Sequence, residues 1–188
     1  MGSEMCIRDR SRHFLIRGIK NYYDAIQYVK KLPYGRNSDK TDLTMVLSES
    51  KGTCSTKHAL LAQLASENDL SSIELMLGIY RMQEKNTPGV GKVLAKYDLA
   101  YIPEAHNYLR YGGKRFDFTM ASSSQIFSFE HFLEEEIVIS PKQITAFKVD
   151  YHKQFIANWL KKSGKEFTLE EIWTIREACI LALQESEN

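Results

Sequence analysis

Lys51-Gly52-Thr53-Cys54-Ser55-Thr56-Lys57-His58-Ala59-Leu60-Leu61 is the stretch on which the reading of this chain turns. A glycine turn leads directly into an apolar, helix-forming run that continues to about Glu67. Cys54 therefore stands at the mouth of a helix. Unpaired backbone N–H groups and the positive end of the helix dipole favour a thiolate there. Cys54, His58, Leu61 and Ala65 share one stripe at helical spacing, which turns the thiol inward.

Working outward, Ile73 to Met82 is rich in β-branched, aromatic and aliphatic residues and reads as a buried strand. Asn86 to Gly91 is a turn-rich break, and Val93 to Tyr97 suits a helical turn. Ala100 to Tyr111 and Lys114 to Met120 read as two strands joined at Gly112-Gly113, a strong hairpin signal. A turn on the two glycines pairs Tyr111 with Lys114, Tyr108 with Asp117 and His106 with Thr119. Side chains alternate along a strand, so His106, Tyr108, Asp117 and Thr119 share a face, with Leu109, Phe116 and Phe118 on the other. His106 and Asp117 are then diagonal neighbours, about 7–8 Å apart at Cα and within reach of a side-chain hydrogen bond. Thiol, imidazole and carboxylate occur in that order. Together they supply a nucleophile, a base and a group that holds the base in one tautomer.

These same residues carry a resemblance. Leu43-Thr44-Met45-Val46-Leu47, then Gly52 to Ala65, resembles the cysteine region of the transglutaminase-like superfamily. Ile73 to Tyr80 is similar to that family's next strand. His106-Asn107-Tyr108 and Phe116-Asp117-Phe118-Thr119 resemble its histidine and aspartate strands. The match covers about residues 42–120. It implies an α+β fold with a papain-like core, a central cysteine-bearing helix against an antiparallel sheet, and a Cys54–His106–Asp117 catalytic triad. The chain departs from the family pattern at Asn107 (a small residue is frequent there), at Tyr108 (often tryptophan), in a shorter hairpin, and at Phe118 (usually proline). No loop of alternating acids ending in Gly and Glu is present, so calcium activation has no motif behind it.

The flanks read as helical. Phe14 to Leu32 has apolar residues at helical spacing up to Pro33-Tyr34-Gly35, and Asp42 to Ser48 reads as a short helix. Ser140-Pro141-Lys142-Gln143 and Thr168-Leu169-Glu170-Glu171 are two capping boxes. Ile144, Phe147, Tyr151, Phe155 and Trp159 continue the first helix, and Ile172, Ile175, Cys179 and Leu183 face inward on the second. Glu134-Glu135-Glu136 reads as a solvated loop or the start of a strand. The expected organisation is a core over 11–125 with an N-terminal helix, and a C-terminal helical extension over 126–188 packed on it. Met1 to Arg10 reads as the translation of a transposon-based sequencing adapter and is set aside from fold reasoning.

Net charge is +1 and 43% of residues are apolar. That balance calls for neither nucleic acid nor an anionic membrane as partner. The longest apolar runs, such as Ala178 to Leu183, are too short to span a bilayer. Cys54 and Cys179 are too few for a disulfide framework, which favours a reducing compartment and a cytoplasmic location. Cys179 lies on an apolar stripe and reads as core. His13, His131 and His152 read as surface or helix-packing residues. His58 is open to three readings: packing beneath the site, a second base, or a metal ligand with Cys54. A zinc site needs two further ligands, and no Cys-x-x-Cys spacing supplies them.

The functional expectation is cysteine-dependent acyl transfer or hydrolysis on a peptide or protein amide, through a thioester at Cys54 and without a cofactor. Hydrolysis is favoured over amine cross-linking, because water needs no acceptor site. The alternative is a non-catalytic interaction module that retains the fold.

Overall fold

The structure, a computed structural model, describes residues 9–121 and 129–185. Residues 1–8 of the adapter-like segment, and the expected core boundary at 125/126, lie outside the described residues. Among the described residues the fold is α+β, with seven α-helices and a four-stranded antiparallel sheet of strand order β3-β2-β1-β4. The strands are β1 (Glu74–Met82), β2 (Ile102–Tyr111), β3 (Lys114–Phe116) and β4 (Leu133–Ile139). No helix among them is long and apolar enough to cross a membrane.

Contacts divide the chain into two compact units. One comprises residues 9–77, 107–121 and 137–145; the other comprises 78–106, 129–136 and 146–185.

In the first unit, α4 (Cys54–Glu67) begins and ends close to where its sequence pattern places it. Thr53 caps it through a reciprocal box with Thr56, an arrangement worth about 1 kcal/mol. Residues all around α4 are buried, not one stripe alone, because α1 (Asp9–Leu15), α2 (Tyr22–Lys31), α3 (Met45–Ser48) and the 3-10 helix Pro141–Ile144 all pack on it. Tyr22 donates to the Leu61 carbonyl, and Arg10 pairs with Glu67 at the far end of α4.

The single helix expected over Phe14–Leu32 is instead two. Gly18 adopts a φ of +76°, with its N–H bonded to the Leu15 carbonyl and the Ile19 N–H to the Phe14 carbonyl. That pair of bonds is a Schellman closure, which glycine permits at low cost. Asn21 then caps α2 by accepting from the Asp24 N–H.

The second unit holds α5 (Gly91–Ala95), α6 (Ala146–Ser163) and α7 (Leu169–Glu185). Thr168 and Glu171 form the expected reciprocal cap at the start of α7. The acidic run 134–136 lies in β4, so the stretch after 126 is not all helix. The buried stripe of α6 also differs from expectation. Lys148, His152, Ile156 and Trp159 are buried, whereas Phe147 is exposed. Ionic partners outweigh apolarity here. Glu104 is buried with its carboxylate gripped by Arg176 at 2.7 and 2.8 Å, and His152 bonds the Pro103 carbonyl at 2.9 Å. Burial alone would raise the Glu104 pKa; the charges of Arg176, His152 and Lys148 and the Arg176 hydrogen bonds hold it down, at about 2. Trp173 lies 5.2 Å from the His152 ring, with Lys153 and Arg176 over its face at 5.0 and 5.2 Å. Cys179 is fully buried in this unit, and burial pushes its thiol up to about 11.

Candidate active site

Cys54 is the first residue of α4 and is a free thiol, 9% exposed. What places it there is local. The chain reverses at Ser50, a non-glycine residue at φ 53°. Gly52 then bonds back to the strand-like Pro33–Gly35 segment, donating to the Pro33 carbonyl and accepting from the Gly35 N–H. Gly52 is required for space, not for a left-handed turn. A Cβ there would sit 2.9 Å from Lys57 Cγ and 3.0 Å from Thr56 Oγ1. Asn37 completes the support by accepting from Thr56 Oγ1 and donating to the Lys51 carbonyl and to Glu49.

The hairpin behaves as expected at its tip. Gly112 and Gly113 both have positive φ, and the ladder pairs Tyr111 with Lys114, Arg110 with Arg115 and Leu109 with Phe116. Positive φ at both central residues is the geometry whose twist suits two flanking strands. Beyond Phe116 the expected ladder stops. Asp117 and Thr119 are not strand partners of Tyr108 and His106, because the chain curls away in a side-chain turn. Asp117 Oδ1 accepts from the Thr119 N–H at 2.9 Å and from Thr119 Oγ1 at 2.5 Å. The Phe118 N–H, instead of pairing across the sheet, donates to His58 Nε2 at 2.8 Å.

That last bond fixes the state of His58. An amide N–H can only donate, so Nε2 carries the lone pair, and Nδ1–H donates to the Cys54 carbonyl at 2.8 Å. The Asp117 carboxylate stands 3.6 Å from Nε2, a distance that would suit an ion pair if the ring were protonated. The shorter Phe118 bond decides for the neutral ring. His58 is fully buried with both nitrogens engaged. Of its three readings, this fits packing beneath the site. It ties the first turn of α4 to the Asp117 turn.

Lys57 is also fully buried; its Nζ donates to the Leu32 carbonyl at 2.5 Å and the Thr119 carbonyl at 2.6 Å. The first of these lies at the C-terminal, negative end of α2, a favourable place for a cation. Ser55 Oγ donates to Asn107 Oδ1 at 2.9 Å, and Asn107 Nδ2 donates to the Met76 carbonyl at 2.8 Å. Cys54 Sγ lies 3.9 Å from Ser55 Oγ. Lys57, Ser55 and Asn107 had no role in the sequence reading. The one signal for Asn107 was its departure from the pattern that the sequence resembles; the structure shows it as a fully buried amide beside His106.

Cys54 and Asp117 belong to the first unit and His106 to the second. His106 is half-buried in β2, and its side chain leaves the strand on the face opposite to that of its neighbour Asn107. Phe129 stands edge-on to it at 4.9 Å between ring centroids, and Tyr80 does so at 5.9 Å. Tyr80 is itself anchored through its hydroxyl to Thr87 Oγ1 at 3.1 Å.

Comparison with family models, curated proteins and solved structures gave no match.

Proposed function

We propose that the protein is a cysteine-dependent hydrolase or acyltransferase acting on peptide or protein amides. Cys54 at the first position of a capped, tightly packed helix is the observation that supports this reading most. In the proposed reaction Cys54 Sγ attacks the amide carbonyl. A C–S bond forms, His106 takes the thiol proton, and the same proton passes to the departing amine as the C–N bond breaks. Asp117 is the carboxylate that orients the imidazole. The helix start offers positive potential to the oxyanion. Water then resolves the thioester and is favoured over an amine as acceptor.

The test is turnover of a peptide-amide library, with and without an added primary amine, together with mass spectrometry for acyl adducts. Acylation is expected at Cys54. Cys54→Ala is expected to reduce turnover about a thousandfold or more, and His106→Ala by about a hundredfold or more. Cys179→Ala, at a thiol buried within the second unit, should turn over normally. Equal losses in Cys54→Ala and Cys179→Ala would refute the assignment.

A second reading, a non-catalytic interaction module, draws support from Asp117. One of its oxygens is spent on the Thr119 turn, as a purely structural aspartate's would be. On that reading Asp117→Asn weakens folding and there is no turnover to lose.

A further inference from the structure

Two consecutive residues of α4, Lys57 and His58, hold the Asp117 turn against the helix that carries Cys54. Lys57 Nζ donates to the Thr119 carbonyl at 2.6 Å, and His58 Nε2 accepts the Phe118 N–H at 2.8 Å. The turn is thus gripped by the amide of one residue and the carbonyl of the next. The Phe118 ring also lies along the imidazole, with 6.0 Å between centroids and 30° between planes. From Nδ1 the same imidazole donates to the carbonyl of Cys54 itself at 2.8 Å. All of these groups belong to the first unit.

The two bonds of His58 require one proton on one particular nitrogen. The Cys54 carbonyl only accepts and the Phe118 amide only donates, so the ring serves both as the neutral Nδ1–H tautomer alone. The Phe118 N–H is part of the peptide that joins Phe118 to Asp117. Anchoring that peptide fixes the direction in which the Asp117 backbone presents its carboxylate, and Thr119 then holds Oδ1. An apolar side chain of similar size at position 58 would fill the space and pack on Phe118, but it would leave the peptide unanchored.

We propose that His58 is a positioning residue that sets the aim of the Asp117 carboxylate relative to Cys54, by holding the Asp117–Phe118 peptide on its Nε2 lone pair. That role rests on the enzymatic reading, in which Asp117 orients the base. Lys57 keeps the turn docked when His58 is replaced, so the loss falls on rate before it falls on folding. A misplacement of about 1 Å in such a group costs about a hundredfold in rate.

The experiment compares His58→Gln with His58→Leu in the full chain, on the library peptide amide that the wild type turns over fastest. Gln places an amide oxygen near the Nε2 position, where it accepts the Phe118 N–H; Leu offers no acceptor. The kcat of His58→Leu should fall about a hundredfold, while that of His58→Gln stays within about tenfold of the wild type. KM should move less than about threefold in both, because the aim of the carboxylate matters in the transition state and not in substrate binding. A packing role gives the opposite order, since leucine suits a buried site better than an amide does. A folded His58→Leu chain with kcat at or above that of His58→Gln overturns the proposal. Should either variant not fold, nitrogen-15 NMR of the wild type at neutral pH decides. The ring proton is expected on Nδ1, with a coupling through the hydrogen bond between the Phe118 amide nitrogen and Nε2. A His58 ring protonated on Nε2 overturns the proposal. Absent turnover, or turnover that survives Cys54→Ala, ends the enzymatic reading and the role of His58 with it. Turnover that needs Cys54, combined with the wrong order of variants or the wrong tautomer, ends the role of His58 alone.

Discussion

The two units each bury a polar cluster beside a cysteine, and they build it from opposite materials. Around Cys54 the linked groups are mostly neutral: a hydroxyl, an amide, an uncharged imidazole and backbone carbonyls, with Lys57 as the cation among them. Near Cys179 the groups are mostly charged, with Glu104 gripped by Arg176 and flanked by Lys148 and by the titratable ring of His152. Removing one of two neutral hydrogen-bonded groups costs about 1–3 kcal/mol, whereas a buried charge left without its partner costs about 3–5 kcal/mol. The comparison thus separates a cluster of mostly neutral hydrogen-bonded groups from one of paired charges.

Removing a single partner should expose that difference most strongly in the second unit. Arg176→Met leaves the Glu104 carboxylate buried without its main partner, and a loss of about 3–5 kcal/mol in urea unfolding is expected. A loss under about 1 kcal/mol would mean that water or Lys148 replaces the guanidinium, and the contrast between the clusters would fail.

Acid should separate the clusters next. Burial lowers the His152 pKa below its ordinary 6.5, outweighing the pull of Glu104. A histidine depressed in the folded state is protonated first in the unfolded chain, so stability declines as pH falls through about 6.5. Glu104, depressed to about 2, adds stability above the ordinary carboxylate range that is lost as pH falls from there toward 2. Unfolding free energy measured from pH 7.5 to 5 should therefore fall, and His152→Gln should flatten that slope. An unchanged slope in the variant would assign it to another group.

The smallest effect belongs to the neutral cluster. Ser55→Ala removes one hydroxyl whose partner Asn107 keeps its bond to Met76, and about 1 kcal/mol of stability should be lost. A loss as large as that of Arg176→Met would show that the neutral chain is a structural lock too.

What could be read in the sequence was local. The limits of α4, the reciprocal cap at Thr168 and the Gly112–Gly113 turn each depend on residues within a few positions of one another, so their signals survive without the fold. That Asp117 supports a turn could be weighed in the sequence but not decided, because what diverts the Phe118 amide is a histidine ring sixty residues earlier in the chain. The buried stripe of α6 was misread for the same reason. Lys148 looks like a surface residue, and His152 like a surface or helix-packing one, until Glu104 and Arg176 arrive from other elements. The break at Gly18 is a different case, since glycine and the Asn21 cap both stand in the sequence and helical periodicity simply ran across them. For the candidate site, Cys54 was legible from its helix, whereas Ser55 and Asn107 matter only once a strand lies against that helix.

Trp173, wedged among His152, Lys153 and Arg176, gives the second unit an optical gauge of its own. A protonated imidazole quenches indole emission at this range. With Trp159 replaced by Phe, fluorescence can therefore follow the ionisation of the buried cluster in the full chain, without a label and before any unfolding sets in.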